Sequence, residues 1–305
     1  VLVQEQVPVA QVDENLGTKE TLRELVAQAH VRGLRVILDL PLAFPGTQHP
    51  LYIEENTAKG WFGPMSPYGV RQWNAGQPEV SDLLIRVGEF WREAAGVDGF
   101  RIDSAQTQPN DFWARFAREV RGASSPEEFF LLAEVAQHSG KIGELLNVTG
   151  FNSAYDFSFL TTQDVIGRGA PLGKLAFVFG EAKRYYPNLS RLCAGIDNYG
   201  LRTFLSVAAE PKLERMKLAL GLLLTVDRIP MLYSGDEVGC WYGDKEVGAL
   251  FEPGNQNPGF RAHVQRLLAL RKKERVLRRG DFQEVARTDA VYAFLRSGGE
   301  RRVLV

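Results

Sequence analysis

Three times in the first half of this chain, a helical pattern of apolar residues leads into a short apolar run that ends on an acidic residue. That repetition restricts the possible folds more than any other feature. Thr18 stands as an N-cap ahead of Leu22, Leu25, Val26 and Ala29 at helical spacing, and Gly33 closes that helix before the run 34–39, which ends on Asp39. Pro78 opens a second helix carrying Leu83, Val87, Phe90, Trp91 and Ala94; Gly96 ends it, and the run 97–103 ends on Asp103. A third unit passes from Asp111, Phe112 and Trp113 through Val120 to the run 129–134, which ends on Glu134. Strands alternating with helices imply a parallel sheet covered by those helices.

Further strands are expected near 150–157, 192–197 and 229–233, with a helix over 213–226 before the last. Counting 1–9 as a strand gives seven, and an eight-stranded barrel cannot close on seven without exposing edges. The reading is therefore an α/β fold, a TIM-type (β/α)8 barrel over residues 1–280 whose first strand is missing, with the natural protein expected to extend at both ends or to be completed by a partner. The 64-position step from Asp39 to Asp103 exceeds one unit, and the surplus, 44–77, is a Gly/Pro-rich inserted loop or small subdomain with Trp61, Phe62, Tyr68 and Trp73. Its aromatics suit stacking on a ring of a ligand or, more commonly, anchoring the loop. After a helix around 262–270, the alternation at 291–295 and the Gly298-Gly299 turn before 303–305 predict a hairpin that begins a C-terminal β domain, 281–305.

With 36 basic and 37 acidic residues among 305, the formal net charge is −1, so the chain as a whole carries no footprint for nucleic acid or an anionic membrane. Neutral substrates are the default. Cys193 and Cys240, the only cysteines, lack metal-site spacing and are expected as thiols near the core. The longest apolar run, 218–226, is too short to cross a bilayer. The chain opens on Val1 without a basic, apolar leader, so a targeting signal is either removed or never existed, and compartment and oligomeric state stay open.

Asp39, Asp103, Glu134 and Asp197 each end an inferred strand, where a parallel barrel presents its chemistry. Arg101, two residues before Asp103, shares its strand face. Cleaving a glycosidic bond with retention needs a carboxylate nucleophile and a carboxylic acid about 5 Å apart. An Arg keeps the first ionised while crowding raises the pKa of the second. Singly, each residue is as readily structural: a strand-end Asp caps a loop, and Arg101 with Asp39 makes an ordinary ion pair.

These residues resemble the α-amylase superfamily, glycoside hydrolase family 13, over nearly the whole chain. GLRVILD (33–39) looks like the family's first signature region, GFRIDS (99–104) the second and LAEV (132–135) the third, and IPMLYSGDE (229–237) is similar to its eighth-strand motif. The resemblance implies Asp103 as nucleophile, Glu134 as acid/base and Arg101 as the group holding Asp103. For the fourth region, LCAGID (192–197) in one register makes Asp197 the transition-state stabiliser, with Arg202 downstream; a competing register puts Gly200 at that position. The positions expected to meet sugar are Asp39, Arg101, Phe44, His138, Tyr199 and Arg202, the substrate being an α-glucan or malto-oligosaccharide.

The departures from the family pattern are as informative. Ala43 and Phe44 stand where the family has Asn and His, Ile196 replaces the fourth-region His in the first register, Gln4 replaces a stacking Tyr, and Ala136 an aromatic. Each lost hydrogen-bond donor costs roughly 1–3 kcal/mol, and several together reach on the order of a thousandfold in rate. Ala43 also removes the family's calcium-ligand asparagine, so neither metal nor cofactor is expected. A binding homologue of reduced or lost activity is therefore the alternative. Asp236 either binds at the rim or, as the favoured reading, caps the last turn.

Overall fold

A computed structural model describes residues 12, 15–66, 69–186, 188–198, 203–240 and 257–305. The expected strand at 1–9, Gln4, Tyr68, Tyr199, Gly200 and Arg202 lie outside the described residues. The chain divides into two compact units, Val1–Ala154 and Tyr155–Val305.

In the first unit, helix α1 (Lys19–Val31) starts at Thr18, whose side chain accepts from the Thr21 N–H while the Thr21 hydroxyl accepts from the Thr18 N–H at 2.8 Å. It ends where the Gly33 N–H donates to His30 O at 2.8 Å. Strand β1 (Ile37–Leu40) follows. Helix α2 (Glu54–Ala58) and the antiparallel pair β2 (Phe62–Met65) and β3 (Arg71–Trp73) build the insertion. Helix α3 (Pro78–Ala95) has Pro at its first turn and left-handed Gly96 after its last, as the sequence predicts. Strand β4 (Gly99–Ile102), helix α4 (Asn110–Arg121), strand β5 (Phe130–Ala133), helix α5 (Ser139–Val148) and strand β6 (Ser153–Tyr155) complete the run. β1–β4, β4–β5 and β5–β6 are parallel pairs.

Asp98 pins the entry to this sheet. Burial works against its charge, yet the Val36 N–H at 2.7 Å, His30 at 2.8 Å and Arg35 at 2.8 Å hold its carboxyl below the ordinary range. The Gly99 that follows is required by close approach: a Cβ there would lie 2.0 Å from the Phe130 carbonyl oxygen across the β4–β5 ladder. Gly99→Ala should force those strands apart and cost about 1–3 kcal/mol, the usual range for overpacking. A denaturant midpoint unchanged from that of the parent would contradict this.

The insertion is anchored by its aromatics. Phe62 and Trp73 are buried with ring centroids 5.1 Å apart, Tyr52 meets Phe62 at 5.0 Å and His49 meets Trp73 edge-on at 5.4 Å. Gln108, just past β4, bonds the backbone at both ends, donating to Trp73 O at 2.8 Å and accepting from the Ala75 N–H at 3.0 Å.

The second unit contains helix α6 (Gly173–Tyr185), strand β7 (Leu192–Ala194), helices α7 (Phe204–Val207) and α8 (Lys212–Leu223), strand β8 (Ile229–Pro230), and helices α9 (Pro258–Lys273) and α10 (Val276–Arg279). β7 and β8 are parallel, with Cys193 opposite Ile229. Its core gathers Phe159, Phe179, Ile196, Phe204, Met216, Leu220, Phe260 and Phe294. Cys193 and Cys240 are buried, and burial pushes Cys193 up to about 12.

The C-terminal segment holds three strands where the sequence predicts two: β9 (Asp281–Arg287), β10 (Tyr292–Gly298) and β11 (Arg301–Leu304), antiparallel in the order β11–β10–β9. β9 is mostly exposed on both faces, so its composition carries no alternation; backbone pairing to β10 and the stack of Phe282 on Phe294 at 4.8 Å define it. Buried Arg296 ties the sheet down through carbonyls, donating to Thr225 O at 2.7 Å and Gly280 O at 2.8 Å. Among the described residues, no helix is long and apolar enough to cross a membrane.

Candidate active site

The site in the first unit is built on three neighbouring strand ends. The register sets Asp39 beside Arg101 and Ile102 beside Ala133, so that Asp103 and Glu134 leave their strands together. Backbone bonds carry that placement past the strands: the Glu134 N–H donates to Ile102 O at 2.9 Å, and the Ala105 N–H donates to Glu134 O at 2.8 Å. Ser104 takes the left-handed conformation, φ +47°, uncommon for a residue with a side chain. Its hydroxyl donates to Asp103 Oδ2 at 3.1 Å, and Trp113 Nε1 on α4 donates to Ala105 O at 2.7 Å, fixing the turn from below. Gln106 closes the other flank by accepting from the Ala136 N–H at 3.2 Å.

Arg101 is the hub. Only 6% exposed, it reaches Asp39 at 2.7 and 2.8 Å and Asp103 Oδ1 at 2.9 Å through one terminal nitrogen, and Glu134 Oε2 through the other. One cation thus faces three carboxyls, and a proton is the simplest remedy for the surplus negative charge. Glu134 takes it. Burial, a hydrogen bond with Asp103 and repulsion from Asp103 and Asp39 outweigh the attraction of Arg101 and raise Glu134 to about 7. This is the separation of roles that acid catalysis beside a nucleophile requires. Asp39 remains 56% exposed at the outer edge of the cluster.

The other sequence candidates fall differently. Phe44 is half-buried beyond β1. His138 is exposed at the N-cap position of α5, and its side chain makes no hydrogen bond among the described residues. Tyr199 and Arg202 lie outside the described residues.

Asp197, in the second unit, follows β7 and is 3% exposed. Its Oδ1 accepts from the Phe204 N–H and from Gln163 Nε2 at 3.2 Å, and its carboxyl is hydrogen-bonded to that of Asp236. Asp236 is 1% exposed and accepts from the Tyr233 N–H at 2.9 Å. It caps the turn, as the sequence suggests, and it also pairs with Asp197. Burial raises both carboxyls, and Asp236, facing the Asp197 charge, goes well above the carboxylate range, so it is the partner that holds the proton. Ser104 and Gln163 were not foreseen: one depends on a left-handed turn and the other on a contact 34 residues away.

No family model matches the chain. It is 26% identical over 336 residues to a cyclomaltodextrinase of Bacillus sp., covering 97% of this chain and 58% of that protein. It is 25% identical over 331 residues to a maltogenic alpha-amylase of Bacillus acidopullulyticus, covering 97% of this chain and 55% of that one. The chain thus spans little more than half the length of these relatives. The solved alpha-amylase of Geobacillus thermoleovorans, complexed with acarbose, superposes with a TM-score of 0.84 at 28% identity, covering 96% of this chain and 70% of its own. The fold class is that TIM-type barrel with a C-terminal β-sheet.

Proposed function

Because the chain belongs to the α-amylase superfamily, glycoside hydrolase family 13, we propose that it acts on α-glucosidic bonds of α-glucans or malto-oligosaccharides as a retaining hydrolase or transglycosylase. Residues 1–280 form the catalytic barrel in this reading, with 281–305 opening a C-terminal β domain. The Asp103 carboxylate attacks the anomeric carbon while Glu134 protonates the departing glycosidic oxygen. Glu134, now ionised, then takes the proton of a water or sugar hydroxyl that breaks the ester on Asp103. Arg101 positions both carboxyls. In the first register, Asp197 is assigned to stabilise the oxocarbenium charge.

The observation that carries this reading is the single Arg101 guanidinium bonded to both Asp103 and Glu134, with Glu134 lifted to about 7. Mass spectrometry after incubation with an activated fluorinated α-glucoside should find the sugar esterified on Asp103. Absence of turnover of any α-glucoside by the full-length protein would overturn it. Because the acid must be protonated in the free enzyme, kcat/KM should fall tenfold per pH unit above about pH 7. In Glu134→Gln, an α-glucosyl fluoride, whose leaving group needs no proton, should still release a stoichiometric burst of fluoride as the sugar loads onto Asp103, with steady turnover slowed for want of the base, while malto-oligosaccharide cleavage is lost. Loss of the burst itself would argue against the acid role.

A second reading, a homologue of reduced or lost activity that binds sugar or a protein partner, is favoured by the burial of Asp197. A stabilising carboxylate must meet the sugar, whereas Asp197 is taken up by Phe204, Gln163 and Asp236. Ile196 beside it is fully buried in the core, unlike a substrate-contacting position. Both observations support the competing register, with Gly200 at the stabiliser's position.

A further inference from the structure

A cavity of about 450 Å³ in the second unit is lined by Arg275, Val276, Arg279, Gly280, Gly298, Gly299 and Arg301. We propose that it binds a phosphate dianion, free or carried on a sugar-sized molecule. The volume suits a small ligand. Three of its lining residues are arginines, and no acid lines it among the described residues.

The arginines are available. Arg275 and Arg279 flank α10, are exposed, and make no side-chain hydrogen bond or ion pair among the described residues. Arg301 gives its Nε and one terminal nitrogen to Glu274 at 2.8 and 2.6 Å, and its other terminal nitrogen makes no hydrogen bond among the described residues. That bidentate pair fixes the guanidinium at the rim and spends its neighbouring acid. Planar guanidinium forks match phosphate oxygens, and a dianion suits several converging forks better than a single carboxylate does.

Gly280, Gly298 and Gly299 leave part of the cavity wall without side chains. At Gly280 a Cβ would lie 2.6 Å from Val276 O and 2.7 Å from Ser297 O, so only glycine fits there, and Gly299 turns the chain at φ +59°. Behind Gly280 sits the buried guanidinium of Arg296, donating to its carbonyl. The segment 271–279 holds Arg271, Lys272, Lys273, Arg275, Arg278 and Arg279 against one acid, Glu274. Burial first, then repulsion from Arg296 and Arg278, lowers Arg271 to about 10. The balanced net charge of the whole chain concealed this local excess.

The test is calorimetric titration of the chain with inorganic phosphate, a hexose 6-phosphate and the neutral hexose, compared with the double variant Arg275→Gln/Arg279→Gln and with Lys272→Gln/Lys273→Gln, whose exposed cations do not line the cavity. Both phosphates should bind, at least tenfold more weakly to the arginine variant and within twofold of normal to the lysine variant, and the neutral hexose should give no signal. Tighter binding of the hexose phosphate assigns the sugar-borne source; equal binding assigns free phosphate. The proposal is overturned by silence with both phosphates, by equal losses in the two variants, or by a single-stranded RNA that binds more tightly than either phosphate. Unchanged melting temperatures of the variants show that the fold survives. None of these readouts depends on glucan turnover.

Discussion

Asp103→Asn is expected to lower malto-oligosaccharide turnover on the order of 10⁶-fold, the scale seen when a covalent nucleophile is removed. The amide preserves shape but cannot form the ester. It also removes one of the groups that crowd Glu134: the hydrogen bond and charge of Asp103 both raise that carboxyl, behind burial as the largest cause. Glu134 should therefore titrate below the parent value of about 7 in the variant. Carbon-detected NMR of labelled carboxyls reads that shift whether or not turnover is detectable. Activity within tenfold of the parent would remove Asp103 from the nucleophile's role. A shift in Glu134 without any parent activity would leave the geometry standing and favour the binding homologue.

Arg101→Met should be the most destabilising single change at the site. It leaves Asp39, Asp103 and Glu134 without their common cation, and breaking a buried ion pair from one side costs about 3–5 kcal/mol. Solvent at the exposed Asp39 offsets part of that loss. The sign with pH follows from Glu134. Its folded pKa already lies above its unfolded one, so its contribution is complete below about 4.5 and is lost as pH rises through about 7. Without Arg101 that carboxyl rises further, and the deficit against the parent should be smaller at pH 5.5 than at pH 8. Urea midpoints of the two proteins at both pH values check this; a deficit that grows as the pH falls would contradict it.

Much of this was legible in the sequence, where short-range stereochemistry decides. Thr18, Gly33, Pro78 and Gly96 start and stop helices because capping, ring closure and left-handed backbone act within a few residues. The acidic strand ends were readable because apolar runs must stop where the sheet meets solvent, and the parity of Arg101 and Asp103 follows from the two-residue repeat of a strand. β9 was not readable, since its residues are exposed on both faces and only hydrogen bonding to β10 makes it a strand.

Charge partners and protonation were decided by tertiary structure alone. Arg101 collects Asp39 from 62 residues away and Glu134 from 33, and the ionisation of Glu134 depends on how much water those approaches leave. The same holds for Asp197: a sequence register can nominate it, but its burial against Asp236, Gln163 and the Phe204 N–H arises from chain segments that meet only on folding. Local sequence determined where carboxyls could stand, because backbone preferences are short-ranged. The folded chain determined which of them keeps a proton, because desolvation and Coulomb forces act through space rather than along the chain.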